Sequence, residues 1–227
     1  MNDDYLLETL RTRLFTAVVG DVLDRMGFRH CFLPPRIMPL RADMKLAGRA
    51  MPVLEADIFE AGSAEVGRGP LAGVEFGLML QALDDLRAGE VYVATGASPR
   101  YALWGELMST RARHLGAAGA VLDGYVRDAA GIEALGFSCF GMGTYAQDQG
   151  PRGKVIDFRC AVEIDGVRIE PGALIFGDRE GVLVVPREAE AEAVARALEK
   201  AGTEDEVGRA IRGGMSATDA LATFGVM

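Results

Sequence analysis

The residues best suited to chemistry lie between Gly96 and Asp128, in GASPRYALWGELMSTRARHLGAAGAVLDGYVRD. The run reads as a loop (96–104), a helix starting at Gly105, a strand AVLDG (120–124) and a polar turn ending in Arg127 and Asp128. In a strand-helix-strand unit, ligands sit at the carboxyl ends of the strands and face the N-terminus of the following helix. Gly105, Glu106, Leu107 and Met108 would offer unbonded backbone N–H groups and the positive end of a helix dipole to a small anion such as a carboxylate. Gly105 has no side chain, so a ligand can approach the backbone closely. Arg127 suits a two-pronged grip on a carboxylate or enolate oxygen. Asp128 is a hard oxygen ligand of the kind Mg²⁺ takes singly or in pairs while keeping several waters. The same two residues could instead form a plain ion pair capping a helix at 129, and spacing alone leaves both readings open.

The surrounding elements must hold that unit. Leu6, Leu10, Leu14, Val18, Val22 and Met26 form a period-four apolar stripe, one helix or two short ones if Thr16 and Gly20 interrupt it. CFLPPRIMPLR (31–41) contains three prolines and excludes helix. KLAGRAMPVL (45–54) predicts a strand, the glycine-rich 61–73 a long surface loop, 75–86 a helix and EVYVAT (90–95) a strand. Beyond Asp128 a helix is expected over 129–136 and a strand over 137–143. Residues 154–186 are turn-punctuated and β-rich, with Asp165-Gly166 as a hairpin signal. A charged helix is expected over 187–212, then a short one with Ser216 as N-cap and Asp219 at the capping-box position. One mixed α/β domain over 1–227 accommodates all of this.

Composition narrows the function. The 227 residues carry 24 Lys plus Arg against 33 Asp plus Glu, a formal charge of -9. That surplus argues against a nucleic-acid or anionic-membrane partner, either of which needs a basic footprint. Glycine is the outlier at 29 residues, nearly double the usual share of about 7%. Three scattered cysteines make no disulfide framework or CxxC knuckle, no apolar run is long enough to span a bilayer, and the acidic first ten residues are not a leader. A cytoplasmic location is the expectation.

Other candidates read as structure. His30 and His114 are the only histidines and lie far apart, which disfavours a histidine zinc site. Asp21, Asp24, Asp84 and Asp85 read as solvated or capping residues, Trp104 as packing, and Asp123 as a turn former or a support for Arg127. GRGPLAG (67–73) lacks the Lys-Ser/Thr of a phosphate loop. No glycine-rich nucleotide loop precedes an acidic ribose-binding residue, which argues against a methyltransferase.

ALWGELMSTRARHLGAAGAVLDGYVRD, with FTAVVGDVLDRMG, IEALGFSCFGMGT, GDREGVLVVP and GMSATDALATFGVM, resembles the regulator of ribonuclease E activity A proteins and the 4-hydroxy-4-methyl-2-oxoglutarate aldolases, which share one fold. The resemblance implies a single layered α/β/α domain with a central mixed sheet of the swivelling β/β/α type, an N-terminal helix and C-terminal helices. It implies that the amides of Gly105 to Met108, with Arg127, hold a pyruvate-like substrate, and that Asp128 binds a divalent metal, Mg²⁺ or Mn²⁺. Glu204 stands where the aldolases place a glutamate from a neighbouring subunit near the metal, with Glu206 as the alternative alignment, so a trimer or a dimer of trimers is expected. One position departs: three residues after the Asp, where the family often has an acid, stands Gly131.

The implied reaction is metal-dependent (class II) cleavage of a 4-hydroxy-2-oxo acid to pyruvate, with oxaloacetate decarboxylation alongside. Both pass through a pyruvate enolate that a chelated metal stabilises as a Lewis acid and Arg127 as a neighbouring cation. The lysines are Lys45, Lys154 and Lys200, none in the signature, so an imine route is not favoured. The alternative is a non-catalytic protein that binds a partner such as ribonuclease E.

Overall fold

The computed structural model describes residues 3–59 and 69–225. In chain order its elements are α1 (Asp3–Arg13), α2 (Thr16–Arg25), β1 (Met38–Pro39), β2 (Leu46–Asp57), α3 (Met79–Asp84), β3 (Glu90–Thr95), β4 (Ala102–Trp104), α4 (Glu106–His114), β5 (Gly119–Leu122) and β6 (Tyr125–Val126). They continue as α5 (Ala129–Leu135), β7 (Cys139–Gly141), β8 (Gly153–Phe158), β9 (Val162–Ile164), β10 (Val167–Ile169), β11 (Leu174–Asp178), β12 (Gly181–Val185), α6 (Glu190–Arg212) and α7 (Ala217–Phe224).

The main sheet runs β1-β7-β5-β3-β2-β11-β12, with β8 also on β2. Its β2, β3, β5 and β7 are mutually parallel, while β1, β8, β11 and β12 pair antiparallel. The fold is therefore mixed α/β, as expected. Alternation along β3 shows the layering: Tyr92 and Ala94 join the core under α3, α4 and α5, whereas Val91 and Val93 pack with Val162, Ile164, Val167 and Ile169 of the β9–β10 hairpin. A further cluster seals α1, α2 and α6 onto β11 and β12 through Leu10, Val19, Phe176 and Val194.

Local chemistry explains most boundaries. The N-terminal stripe is split at Leu14-Phe15 into α1 and α2. Ser216 is the expected N-cap of α7, accepting from the Asp219 amide at 3.1 Å, while the Asp219 carboxylate accepts from the Ser216 hydroxyl at 2.7 Å rather than from its backbone N–H as a capping box would. The β9–β10 turn falls on Asp165 and Gly166, both at positive φ. Two expectations need correcting. The helix anticipated over 75–86 is only Met79–Asp84, because Phe76 and Gly77 are left-handed (φ 59° and 63°) and a Cβ on Gly77 would stand 2.2 Å from the Val155 carbonyl oxygen. The stretch 96–104, read as loop, ends in strand β4, which pairs parallel with β6. Of the loop expected over 61–73, residues 61–68 lie outside the described residues, and Pro70 to Gly73 form turns.

Candidate active site

Trp104 anchors the crevice. It is buried between Tyr92 (centroids 4.8 Å apart) and Phe137 (6.0 Å), and its indole N–H donates to Ser109 Oγ at 2.6 Å. Ser109 Oγ in turn donates to the Gly105 carbonyl at 3.1 Å. This locks the strand-to-helix turn, so that Gly105 becomes the N-cap of α4 in extended conformation with no side-chain cap. The first backbone bond of α4 runs from Ser109 N–H to the Gly105 carbonyl. The amides of Glu106, Leu107 and Met108 thus belong to the unbonded first turn, where the helix dipole is positive.

Beside it, β6 delivers Arg127 and Asp128. The Arg127 amide donates to the Trp104 carbonyl at 2.9 Å, fixing the two segments together. Asp128 is the N-cap of α5, in the left-handed region (φ 57°, ψ 36°) that costs a non-glycine residue about 1 kcal/mol or more. Its carboxylate makes no capping bond. It stands 3.6 Å from Arg127 Nε and is 47% exposed. A Cβ on Gly105 would lie 2.9 Å from Asp128 Oδ2 and 3.4 Å from Arg127 Cγ. The missing side chain therefore keeps open the space between the helix N-terminus, the cation and the carboxylate. The residues singled out from sequence, Gly105 to Met108, Arg127 and Asp128, are brought together.

Two partners differ from expectation. Asp123, considered as a support for Arg127, instead accepts from Arg36 (2.9 Å) and from Thr95 Oγ1 (3.1 Å). The residue that holds Arg127 is Asp148, whose Oδ1 accepts from Nη1 at 2.8 Å. Sequence reasoning missed it: Asp148 lies in a polar, aperiodic connection, and only the density of polar residues in TYAQDQGPRGK (144–154) marked the segment. Glu204 is not brought to this crevice within one chain. It sits on α6, which packs on α1, α2 and α7, and its Oε1 accepts from Lys200 Nζ at 2.6 Å. Glu206 on the same helix is exposed.

Gly131 has a spatial explanation. A Cβ there would lie 2.3 Å from the carboxyl carbon of Glu106, so the Glu106 side chain from the first turn of α4 occupies the room over the first turn of α5. An acidic group is present at this place, carried by the facing helix.

Behind the crevice, β2 carries two carboxylates of opposite character. Glu55 is buried at a β-bulge, accepts from Gln149 Nε2 at 2.7 Å and leaves Oε1 unpartnered among the described residues, as is Tyr92 OH. Burial, aided by the charge of Asp57, pushes its pKa up to about 8, so the neutral acid is favoured at pH 7. Asp57, two residues on, is raised by burial but lowered further by bonds from the Ser98 amide, Arg100 and Tyr101 OH, so its carboxyl stays well below the usual range.

The donor set can be tested against a divalent cation. Among the described residues no group of three or more His, Cys, Asp or Glu could hold a metal alone. A Mg²⁺ site built on one carboxylate, water and a chelating ligand needs no such group. Asp128 fits that pattern: it is open, and it faces the clear space beside Gly105.

Fold and crevice together define a mixed α/β protein with an open crevice at the carboxyl end of its parallel strands. The chain belongs to the RraA-like family, described as Aldolase/RraA, which its sequence matches over residues 16–184. It is 33% identical over 198 residues to a Halalkalibacterium halodurans protein provisionally named 4-hydroxy-4-methyl-2-oxoglutarate aldolase, covering 86% of this chain and 84% of that one. It is 28% identical over 210 residues to protein DlpA of Legionella pneumophila, covering 92% of this chain but only 32% of that much longer protein. Among solved structures, an uncharacterized Pseudomonas syringae protein superposes with a TM-score of 0.83 at 27% identity, covering 97% of this chain and 94% of that one. Among the described residues no helix is long and apolar enough to cross a membrane.

Proposed function

We propose that this protein is a divalent-metal-dependent lyase that cleaves 4-hydroxy-2-oxo acids, of the 4-hydroxy-4-methyl-2-oxoglutarate type, to pyruvate, and that it also decarboxylates oxaloacetate. The observation that carries this reading is the clear space at Gly105, bordered by Asp128 and Arg127 and by the unbonded first turn of α4. The provisional aldolase name of the Halalkalibacterium halodurans relative supports it.

Each residue has a role in this scheme. The amides of Glu106, Leu107 and Met108 receive the substrate carboxylate, with the dipole of α4 behind them. Arg127, oriented through one guanidinium nitrogen by Asp148, directs its remaining donors at the 2-oxo oxygen, where negative charge grows as the carbon–carbon bond breaks. Because these donors are fixed before substrate arrives, little reorganisation is needed in the transition state. Asp128 would hold Mg²⁺ or Mn²⁺, which when bound supplies Lewis acidity to the oxygens of the 2-oxo acid. Trp104 and Ser109 hold the turn in place, and Gly105 leaves room for the ligand.

The test is pyruvate release from 4-hydroxy-4-methyl-2-oxoglutarate and from oxaloacetate with Mg²⁺ or Mn²⁺, compared with chelator. Pyruvate above the protein-free, metal-containing background that disappears in Asp128→Ala supports the proposal. No pyruvate above that background would overturn the enzyme reading in favour of a binding protein.

A further inference from the structure

Between β7 and β8 the chain runs over the surface from Met142 to Arg152, and of that connection only Gln149 is buried. Backbone bonds fasten its flanks: the Ala102 amide donates to the Gln147 carbonyl and the Ile58 amide to the Arg152 carbonyl, both at 2.8 Å. Between those flanks the anchor is a side chain. Gln149 Nε2 donates to Glu55 Oε2 at 2.7 Å. The turn around Gln149 is closed by its own carbonyl, which accepts from the Arg152 and Gly153 amides at 2.7 and 3.0 Å. Asp148 comes directly before it. Its Oδ2 accepts from the Gly150 amide at 3.3 Å, and its Oδ1 accepts from Arg127 Nη1 at 2.8 Å.

Glu55 is itself held firmly. It pairs with Val155 of β8 just past a register shift in β2 and is 2% exposed. Its Oε1 and the nearby Tyr92 hydroxyl have no partner among the described residues. A buried carboxyl group with one oxygen unused is costly, and an apolar residue of the same shape would serve the core better. What the carboxyl group adds is the bond to Gln149.

We propose that Glu55 is a positioning residue for Arg127: it holds Gln149 in the core and, through the adjoining Asp148, fixes the direction in which the guanidinium faces the crevice. The consequence for catalysis rests on the proposed function, whereas the hold on Arg127 does not. Without that hold, Arg127 keeps the 3.6 Å approach of Nε to Asp128, which draws its donors away from the 2-oxo oxygen. Burial and the charge of Asp57 favour the neutral acid at Glu55. Glutamine is therefore its near-isostere, keeping an acceptor for Gln149 Nε2 and setting an N–H where the carboxyl proton would be.

The test reads Arg127 directly, through its guanidinium-carbon NMR signal in the whole protein labelled on arginine, assigned by its absence in Arg127→Lys. Asp148→Asn marks where the signal lies once the ion pair is broken. Gln149→Ala and Glu55→Leu should move it most of the way to that position, and Glu55→Gln should return it to the wild-type position. Gln149 lies outside any strand, so its variant keeps the readout should Glu55→Leu not fold. With oxaloacetate as substrate, the two displaced variants should lose roughly tenfold or more in kcat, and Glu55→Gln should recover most of it. A wild-type signal in folded Gln149→Ala overturns the inference and leaves the proposed reaction standing. A Glu55→Gln signal displaced as far as that of Glu55→Leu does the same. Displaced signals with an unchanged kcat overturn the role as well. Displaced signals in a protein that releases no pyruvate sink the proposed reaction alone and uphold the hold on Arg127.

Discussion

Asp178 and Asp128 both stand at the start of a helix, and they have opposite fates. Asp178 closes β11 and is 4% exposed. It accepts from the Thr16 amide and hydroxyl, both at 2.7 Å, and from the Glu180 amide at 2.9 Å, so it caps α2 from across the chain. Both of its oxygens are used, and three of its roughly four acceptor directions are filled. Asp128 caps nothing with its side chain, is about half exposed, and is held in a left-handed turn. The same residue type at the same kind of place is cement in one region and an open valence in the other. A saturated carboxylate stabilises the fold, and an unsaturated one facing cleared space is available to a ligand.

That contrast can be broken from either side. Asp178→Ala strands three donors and should cost about 3 kcal/mol, read as a melting temperature lower by roughly 6–12 °C, with activity per folded molecule intact. An unchanged melt would show that its bonds do not hold α2. Asp128→Asn should do the reverse, lowering kcat/KM at least about a hundredfold, near 2.7 kcal/mol, with the melting temperature held, because asparagine also tolerates the left-handed turn and no capping bond is lost. A destabilised Asp128→Asn protein would put this residue on the structural side.

Glu55 offers a third arm, since it is buried like Asp178 yet only half satisfied. With an ordinary value of 4.5 and a folded value of about 8, the folded chain holds a proton that the unfolded chain has released. Stability should therefore fall as pH rises across that window and level off above it. Glu55→Gln should flatten the decline and be more stable than the parent by about 2 kcal/mol at the upper end, as chemical denaturation at several pH values would reveal. A parent protein equally stable at both ends contradicts the neutral-acid assignment.

The smallest effect is expected from Gly105→Ala. The extended φ of -152° accepts alanine, so the fold should be little affected, but the new methyl would intrude 2.9 Å from Asp128 Oδ2. Roughly tenfold weaker binding of 2-oxobutyrate, about 1.4 kcal/mol, is the outcome to look for by titration. Undiminished binding would place the ligand elsewhere.

What the sequence made legible follows from distance along the chain. Gly105, Arg127 and Asp128 fall within one strand-helix-strand unit, whose geometry brings the carboxyl ends of its strands to the helix start. Ser216 with Asp219, and Asp165 with Gly166, are contacts of three residues or fewer and were equally readable. Asp148 on Arg127, Gln149 on Glu55 and Asp178 on Thr16 join residues 21, 94 and 162 positions apart. No periodicity encodes such pairs, because each depends on how separate elements dock. Strand β4 was hidden for a related reason: three residues paired only with the two-residue β6 leave no alternation to detect.

Glu106 and Gly131 also belong together. The carboxyl group of one fills the side-chain room of the other, so the two positions act as a single seat that either helix can occupy. An acid moved to 131 would push the exposed Glu106 carboxyl group aside, and a glycine placed at 106 would leave the seat vacant. Exchanging both at once returns a carboxyl group to the same volume from the opposite wall. The chain thus brings a carboxyl group to this seat from position 106, and these two positions should change in evolution as a pair.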